Sequence, residues 1–264
     1  MKRAPRPAIR IWSDLHLEFS AHAPRVAPAA PLPGEIVLLA GDIAVGTAGV
    51  LWAIRTFPDN PVGYVLGNHE FYHAAIATTI RACRDAAAGT NVRVLECDTW
   101  DVAPGTRVLG TTLWTDYGLW PECSLGAAYA EARRLADHRL VVTEGRTFSP
   151  ADAHRRHLVS IKWLEAELLR ATNDGVRAVV VTHHAPHPNC LGKVFKPARD
   201  PLSSAFASDL SDLLHSPIAP KIWISGHTHR NHIGRVGRTR LVSNQGGYAF
   251  RNEDGGFDLE GLVL

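Results

Sequence analysis

The chain has almost no sulfur and no strong charge bias. Its 264 residues include one methionine and four cysteines. Cys83, Cys97, Cys123 and Cys190 are far apart and form no CxxC pair, which argues against a zinc ribbon or a disulfide scaffold and suits a reducing compartment. Lysine and arginine total 28 against 26 aspartates and glutamates, a net charge of +2, so composition directs the chain neither to nucleic acid nor to an anionic membrane. No apolar run approaches the roughly 20 residues that span a bilayer. The basic residues Lys2, Arg3 and Arg6 lead into a strand pattern, not into the apolar segment of a leader. These absences together read as a cytoplasmic protein. No internal repeat is present, and the one biased tract, residues 21–34 with Pro24, Pro28, Pro31 and Pro33, reads as a surface loop.

The length suits a single domain over residues 1–264, and a hydrophobic fraction of 45% is ample for a large core. Short apolar runs at 9–12, 36–40, 62–66, 92–95, 107–110, 176–181 and 221–224 read as strands, the fourth of which is followed by a pattern continuing from 107 to 114. Helical patterns cover 49–57, 72–88, 125–138 and 150–171; Ser149-Pro150-Ala151-Asp152 opens the last with an N-cap and a proline at the first helical position. Leu158, Ile161, Leu164 and Leu168 form its expected buried stripe. Residues 116–172 interrupt the strand rhythm and read as a helical insertion near the strand ends. Late strands at 232–236, 240–242 and 257–262 are closely spaced, which predicts antiparallel pairs. Parallel strands followed by antiparallel ones imply a mixed sheet, or two stacked mixed β-sheets flanked by helices in an α/β arrangement.

What the chain does have is histidine, 14 in all, and much of it sits in a recurring place. Asp14-Leu15-His16, Gly41-Asp42, Gly67-Asn68-His69-Glu70, His183-His184 and Gly226-His227-Thr228-His229 each follow an expected strand. The C-terminal ends of neighbouring strands converge on one rim of an α/β sheet. Carboxylates, an amide and imidazoles on one rim would form a two-metal site, with a carboxylate shared between ions about 3.5–4 Å apart. Asp42, alone after a glycine, suits the shared position. Asp14 and His16, two apart in an extended segment, would face the same way and bind one metal; His227 and His229 could straddle the pair. Asn68 would add a neutral oxygen and His183 complete the second site. In an extended segment His183 and His184 point opposite ways, so only one can reach; His183, first past the strand, is favoured, and the choice stays open. A mixed O/N donor set without thiolate favours Mn, Fe, Zn, Co or Ni, with Mn first. Two such ions would attract a phosphate dianion and acidify a shared water, and His69, beside Asn68, is placed to protonate a leaving group.

These motifs, from residue 9 to about 248, resemble the full signature of the calcineurin-like metallophosphoesterase superfamily. The resemblance implies a four-layer α/β/β/α sandwich. It implies one metal held by Asp14, His16, Asp42 and His229, a second held by Asp42, Asn68, His183 and His227, and His69 as general acid or phosphate contact. Protein phosphatases of this superfamily carry GDxxDRG, whereas here Gly41-Asp42 is followed by Ile43-Ala44-Val45-Gly46-Thr47. The pattern is more similar to small bacterial phosphoesterases acting on phosphodiesters or phosphomonoesters.

The expected partner is a small phosphate ester, with no membrane and no dedicated nucleic-acid role. Trp114, Tyr117, Trp120, Arg134, His138, Arg139, His187 and Lys193 are candidate substrate contacts, and Asn244 a candidate support beneath the site. Basic residues clustered over 133–156 could favour a phosphate-bearing ligand or form a solvated helix face. Two other functions stay open: a non-catalytic metal-binding interaction protein on the same fold, and a nuclease.

Overall fold

The computed structural model describes residues 8–19, 28–192, 200–251, 253 and 256–264. In chain order the elements are β1 (Ile9–Trp12), β2 (Ile36–Ala40), α1 (Ala48–Thr56), β3 (Val62–Val65), α2 (Ile76–Ala87), β4 (Val92–Val94), β5 (Asp98–Ala103) and β6 (Thr106–Thr111). Then come α3 (Leu125–Ala132), α4 (Asp137–Leu140), the short β7 (Val142–Thr143) and β8 (Arg146–Thr147), α5 (Pro150–Asn173) and β9 (Arg177–Thr182). The chain closes with α6 (Ser211–His215), β10 (Ile222–Ile224), β11 (Ile233–Val236), β12 (Thr239–Val242) and β13 (Leu262–Val263).

Two mixed sheets result. The five-stranded sheet runs β13-β1-β2-β3-β4 and the six-stranded sheet β11-β12-β10-β9-β6-β5. Their central strands are parallel, while β13, β11 and β5 pair antiparallel at the edges. Strand side chains alternate between faces, and the apolar runs split accordingly. Ile9, Ile11, Ile36, Leu38 and Ala40 meet Val179, Val181, Ile222, Ile224 and Val242 between the sheets. The alternate residues Trp12, Val37, Leu39 and Tyr64 face α1 and α2. On the far side Leu109, Val180, Trp223 and Leu241 face α5 and α6. Both faces of each central strand are therefore buried, which is why these strands read as continuous apolar runs. Helices flank the two sheets, as expected, and among the described residues no helix is long and apolar enough to cross a membrane.

Several local expectations need correction. Strand β5 is not among the expected strands: Asp98 and Asp101 break up its short apolar face, of which only Trp100 and Val102 pack on the core between the sheets, and it is an edge strand paired only to β6. The pattern over 107–114 does not continue as a strand beyond Thr111, because Leu113 and Trp114 take left-handed backbone, with φ of 72° and 49°. The helix expected over 125–138 ends at Ala132. Leu158 is 56% exposed; the buried face of α5 runs through Ala153, His157, Ser160, Leu164, Leu168 and Ala171. The late strand expected at 257–262 is reduced to β13, which joins β1 in the other sheet. The α5 N-cap is as expected, with Ser149 N donating to Asp152 Oδ2 at 2.9 Å and Asp152 N to Ser149 Oγ at 3.3 Å. Residues 21–27 of the proline-rich tract lie outside the described residues.

Candidate metal centre

The C-terminal ends of β1, β2, β3, β9 and β10 deliver the five motifs to one rim. They do not do so in extended form. Asp14, His16, Asp42, His227 and His229 all have positive φ, between 48° and 70°. Left-handed backbone costs a residue with a side chain roughly 1–2 kcal/mol, and Asp and His are among the types that tolerate it best. Each turn is pinned: Asp14 N donates to Gly41 O and His16 N to Asp42 O, both at 3.0 Å. His227 N donates to Asp14 Oδ1 at 3.0 Å and His229 N to Gln245 Oε1 at 2.7 Å. The expectation of extended Asp14-x-His16 and His227-x-His229 pairs is thus corrected, although their side chains still converge. Such concentrated strain is typical of functional sites.

Glycine makes the approach of the loops possible. A Cβ on Gly67 would fall 2.1 Å from Asp42 Oδ1 and 2.5 Å from Asp42 N. Gly41, at φ +85°, would place a Cβ 2.5 Å from His183 Nδ1.

Among the described residues three groups of potential ligand atoms lie on this rim: Asp14, His16 and His229; beside them Asp42, His183 and His227; and His16 with Glu18 and His69. Asp42 faces the first two. Its Oδ1 is 3.4 Å from His183 Nε2 and its Oδ2 is 3.9 Å from His16 Nε2. In the first group His16 Nε2 and His229 Nε2 are 3.0 Å apart, and His229 Nε2 is 3.5 Å from Asp14 Oδ1. In the second, His183 Nε2 is 2.8 Å from Asn68 Oδ1 and 3.1 Å from His227 Nδ1. His184 turns away, with its Nδ1 3.2 Å from Thr112 O and its ring beside Trp114.

The other ring nitrogens fix where the lone pairs point. His183 Nδ1 donates to Ala40 O at 2.9 Å, His229 Nδ1 to Glu253 Oε2 at 2.6 Å, and His16 Nδ1 to Glu18 Oε1 at 3.3 Å. Each of these imidazoles, when neutral, therefore directs a bare Nε2 into the cluster. Asn68 Nδ2 donates to Asp137 Oδ1 at 2.8 Å, so its carbonyl oxygen also faces inward. Lone pairs confront lone pairs in a buried space, an arrangement that positive charge must hold together. Protons can supply it: burial opposes a charge on His183, yet Asp42 and Asp14 outweigh burial and hold its pKa up at about 10. Burial is likewise outweighed at His229, where Asp14 and Glu253 raise the pKa to about 9. Divalent cations would supply it better. The buried O/N donor set fits them, with outer carboxylates orienting the imidazoles.

Glu70 braces the loops from below. Fully buried, it accepts from Asp42 N, Ile43 N and Gly67 N at 2.8–3.0 Å and from Tyr64 OH at 2.7 Å. Burial, then the nearby Asp42, push its pKa to about 7. Asn244, the expected support, donates through Nδ2 to Ile11 O and Asp258 O, both at 2.9 Å, and ties the segment ahead of β13 to β1.

A cleft of about 390 Å³ opens over the cluster. His69 faces it, with Nδ1 donating to Glu18 Oε1 at 2.7 Å and Nε2 lying 3.1 Å from Tyr248 OH and 3.8 Å from Asp42 Oδ2. Burial opposes its protonation, but Asp42 and Glu18 prevail and its pKa is raised. Tyr72, Tyr248, Arg230 and Arg251 line the mouth, and Leu135, Ala136 and Phe206 form an apolar wall. Residues 135–137 belong to the segment read as an insertion, which therefore reaches the site.

None of the expected substrate contacts among the described residues lines this cleft. Trp114 is packed between Phe71 and Phe148. Tyr117 and His138 are buried against each other, Tyr117 OH lying 3.1 Å from His138 Nε2. Trp120 donates to Ser203 Oγ, Arg134 pairs with Glu131 in solvent, Arg139 is exposed, and His187 accepts from Asn189 N. Lys193 lies outside the described residues. In the basic tract, Arg146 and Arg155 bind Asp152. Sequence reasoning missed Glu18, Asp137, Glu253, Tyr248, Arg230 and Arg251. Only Glu18, two residues beyond His16, had a local signal.

Residues 9–231 match the family model described as calcineurin-like phosphoesterase. Among solved structures, the phosphopantetheinyl hydrolase PptH from Mycobacterium tuberculosis is similar with a TM-score of 0.69 and 20% identity, over 93% of this chain and 92% of that one. A dimetal phosphatase from Danio rerio is similar with a TM-score of 0.51 and 14% identity, over 90% and 87%. At these identities the likeness is one of fold. No curated protein matches the sequence significantly.

Proposed function

The chain belongs to the calcineurin-like phosphoesterase family, and from that premise we propose that it is a two-metal hydrolase of small phosphate monoesters or diesters. The observation that carries this reading is Asp42, which offers one oxygen to each of two buried donor groups. One ion would be held by Asp14, His16, Asp42 and His229. The other would be held by Asp42, Asn68, His183 and His227, with His184 left out because it points to Thr112. Manganese is the first choice of metal. When bound, two divalent cations supply a positive field for a phosphoryl group and acidify water for attack.

The chain's own residues account for the rest. Asp137 fixes the amide of Asn68, and Glu253 and Glu18 fix the imidazoles of His229 and His16. His69, oriented by Glu18, presents Nε2 to the cleft and donates a proton to the leaving oxygen. Tyr248 lies within hydrogen-bond reach of that nitrogen and holds it toward the substrate. Arg230 and Arg251 at the mouth would contact the non-bridging or distal anionic oxygens, and the Leu135–Ala136–Phe206 wall would take an apolar leaving group. A cleft of about 390 Å³ favours small esters over a polymer.

The test is hydrolysis of p-nitrophenyl phosphate, bis-p-nitrophenyl phosphate and a phosphopantetheine ester, the last suggested by the name of the Mycobacterium tuberculosis neighbour. Activity on at least one should vanish on chelation and return with Mn²⁺. Full activity in Asp42→Ala or Asn68→Ala protein would refute the reading. Silence across the panel with metals loaded would favour a non-catalytic metal-binding role.

A further inference from the structure

The opposite end of the second sheet carries a cationic cleft that phosphoester hydrolysis at the rim does not use. Strands β9, β10 and β12 are parallel neighbours, so their N-terminal ends gather at one edge. There Arg177, Lys221, Arg235, Arg238 and Arg240 line a cleft of about 470 Å³, joined by Gly175, Val176 and Ile222 and, among the described residues, by no carboxylate. Strand β9 is six residues long, which at roughly 3.3 Å per residue puts Arg177 some 20 Å from the histidine cluster.

The register explains why the charges converge. Ile222 pairs with Val179 on one side and Arg240 on the other, and Arg240 pairs directly with Arg235 across the β11–β12 hairpin. Arg177 is two residues before Val179. Arg177, Arg240 and Arg235 therefore project from the same face of three strands. Directly opposed like charges destabilise an antiparallel pair. Among the described residues, no carboxylate is ion-paired to Arg235 or Arg240, nor to Lys221 or Arg238 beside them. The chain as a whole is close to neutral at +2, so four such cations gathered beside Arg177 in one cleft are a local feature and not a general background.

We propose that this cleft binds a small polyphosphate, either a free oligophosphate chain or the phosphate tail of a nucleotide. Guanidinium forks match phosphate oxygens in pairs, and the volume lies within the range of small-ligand sites. Among the described residues the lining holds no aromatic ring on which bases of a single strand could stack, which sets a nucleic acid aside. An anion seated between Arg235 and Arg240 turns their repulsion into shared attraction.

Calorimetric titration of the full-length, metal-loaded protein tests this, with magnesium in excess so that the probe does not strip the rim. Tripolyphosphate and adenosine triphosphate are the two probes. Binding of either should be at least about tenfold weaker in Arg235→Thr/Arg240→Thr protein, the loss expected for removing charged hydrogen bonds. It should persist in Asp42→Ala protein, and the double variant should keep its p-nitrophenyl ester hydrolysis. Equal affinity for the two probes assigns recognition to phosphate alone, and tighter adenosine triphosphate adds a base contact. The double variant should melt no lower than the parent, because a repulsion has been removed. Arg238→Ala, at the turn, repeats the test without altering a strand. Binding lost only in Asp42→Ala protein would place the polyphosphate at the rim and overturn the proposal, as would no binding at all or tighter binding of a single-stranded oligonucleotide.

Discussion

Replacing Gly67 with alanine adds one methyl group where the loops after β2 and β3 touch. The new Cβ would lie 2.1 Å from Asp42 Oδ1, 2.5 Å from Asp42 N and 2.8 Å from His183 Cε1. Carbon contacts are comfortable near 3.5 Å, so Asp42 or the Gly67 backbone must move by about 1 Å. Neither is free to move, because Glu70 holds Asp42 N and Gly67 N at 3.0 and 2.8 Å. Overpacking of this kind costs about 1–3 kcal/mol of stability. Metal ligands tolerate displacements of only about 0.2 Å, so affinity should suffer as well. We expect Gly67→Ala to bind Mn²⁺ at least about tenfold more weakly, the scale seen when ligand positioning is disturbed. Gly89→Ala is the control: its φ is +73° but nothing lies within 4 Å of the added methyl. It should lose roughly 1–2 kcal/mol through backbone strain alone and bind metal normally. Metal titration calorimetry and thermal melts of both variants provide the readout. Unchanged metal affinity in Gly67→Ala protein would refute the argument that Asp42 is held in contact with Gly67 for ligation.

Other perturbations separate support from chemistry. Glu70→Ala should destabilise the fold by at least about 3 kcal/mol in urea denaturation, since it strips acceptors from three backbone N–H groups and Tyr64; a loss under about 1 kcal/mol would mean that those groups find other partners. Glu18→Ala should lower kcat by about 10–100-fold even at saturating Mn²⁺, because it frees His69 Nδ1 as well as His16 Nδ1, and an unchanged kcat at saturating metal would remove His69 orientation from the mechanism. The Asp152 carboxyl is held below the usual carboxylate range, chiefly by Arg146 and against its burial, with Ser149 assisting. Its stabilising contribution is therefore fully present above the ordinary pKa of 3.8 and lost as pH falls below it. Asp152→Ala should cost about 1–2 kcal/mol near neutral pH, with the difference from the parent shrinking below pH 3.8; a difference independent of pH would refute the cap as an ionised one.

The sequence revealed most where burial was two-sided. The runs 36–40 and 179–181 are apolar without interruption because both faces of those strands are covered, and the motif residues follow them directly. Edge strands were harder: β5 offers only Trp100 and Val102 to the core between acidic residues, and β13 is two residues long. Leu158 fits a helical stripe by spacing, yet the face of α5 that packs is rotated toward His157 and Ser160, which spacing alone does not fix. The residues that gather at the rim were legible as types and positions, but their left-handed backbone was not, since it comes from hydrogen bonds such as His227 N to Asp14, 213 residues apart. The same holds for Asp137 on Asn68 and Glu253 on His229, which are 69 and 24 residues apart. The expected substrate contacts failed for a physical reason. Trp114 and His138 have partners in the core, whereas the cleft takes its walls from Tyr248, Arg251 and Arg230 near the chain's end.

The central claim is that Asp42 joins two metal sites, and metal counting tests it most directly. Purified protein loaded with Mn²⁺ and freed of excess should hold two ions per chain by elemental analysis, one in His16→Ala, one in His183→Ala, and neither tightly in Asp42→Ala. Two tightly held ions in the Asp42→Ala protein, or a wild-type chain that saturates at one, would contradict it.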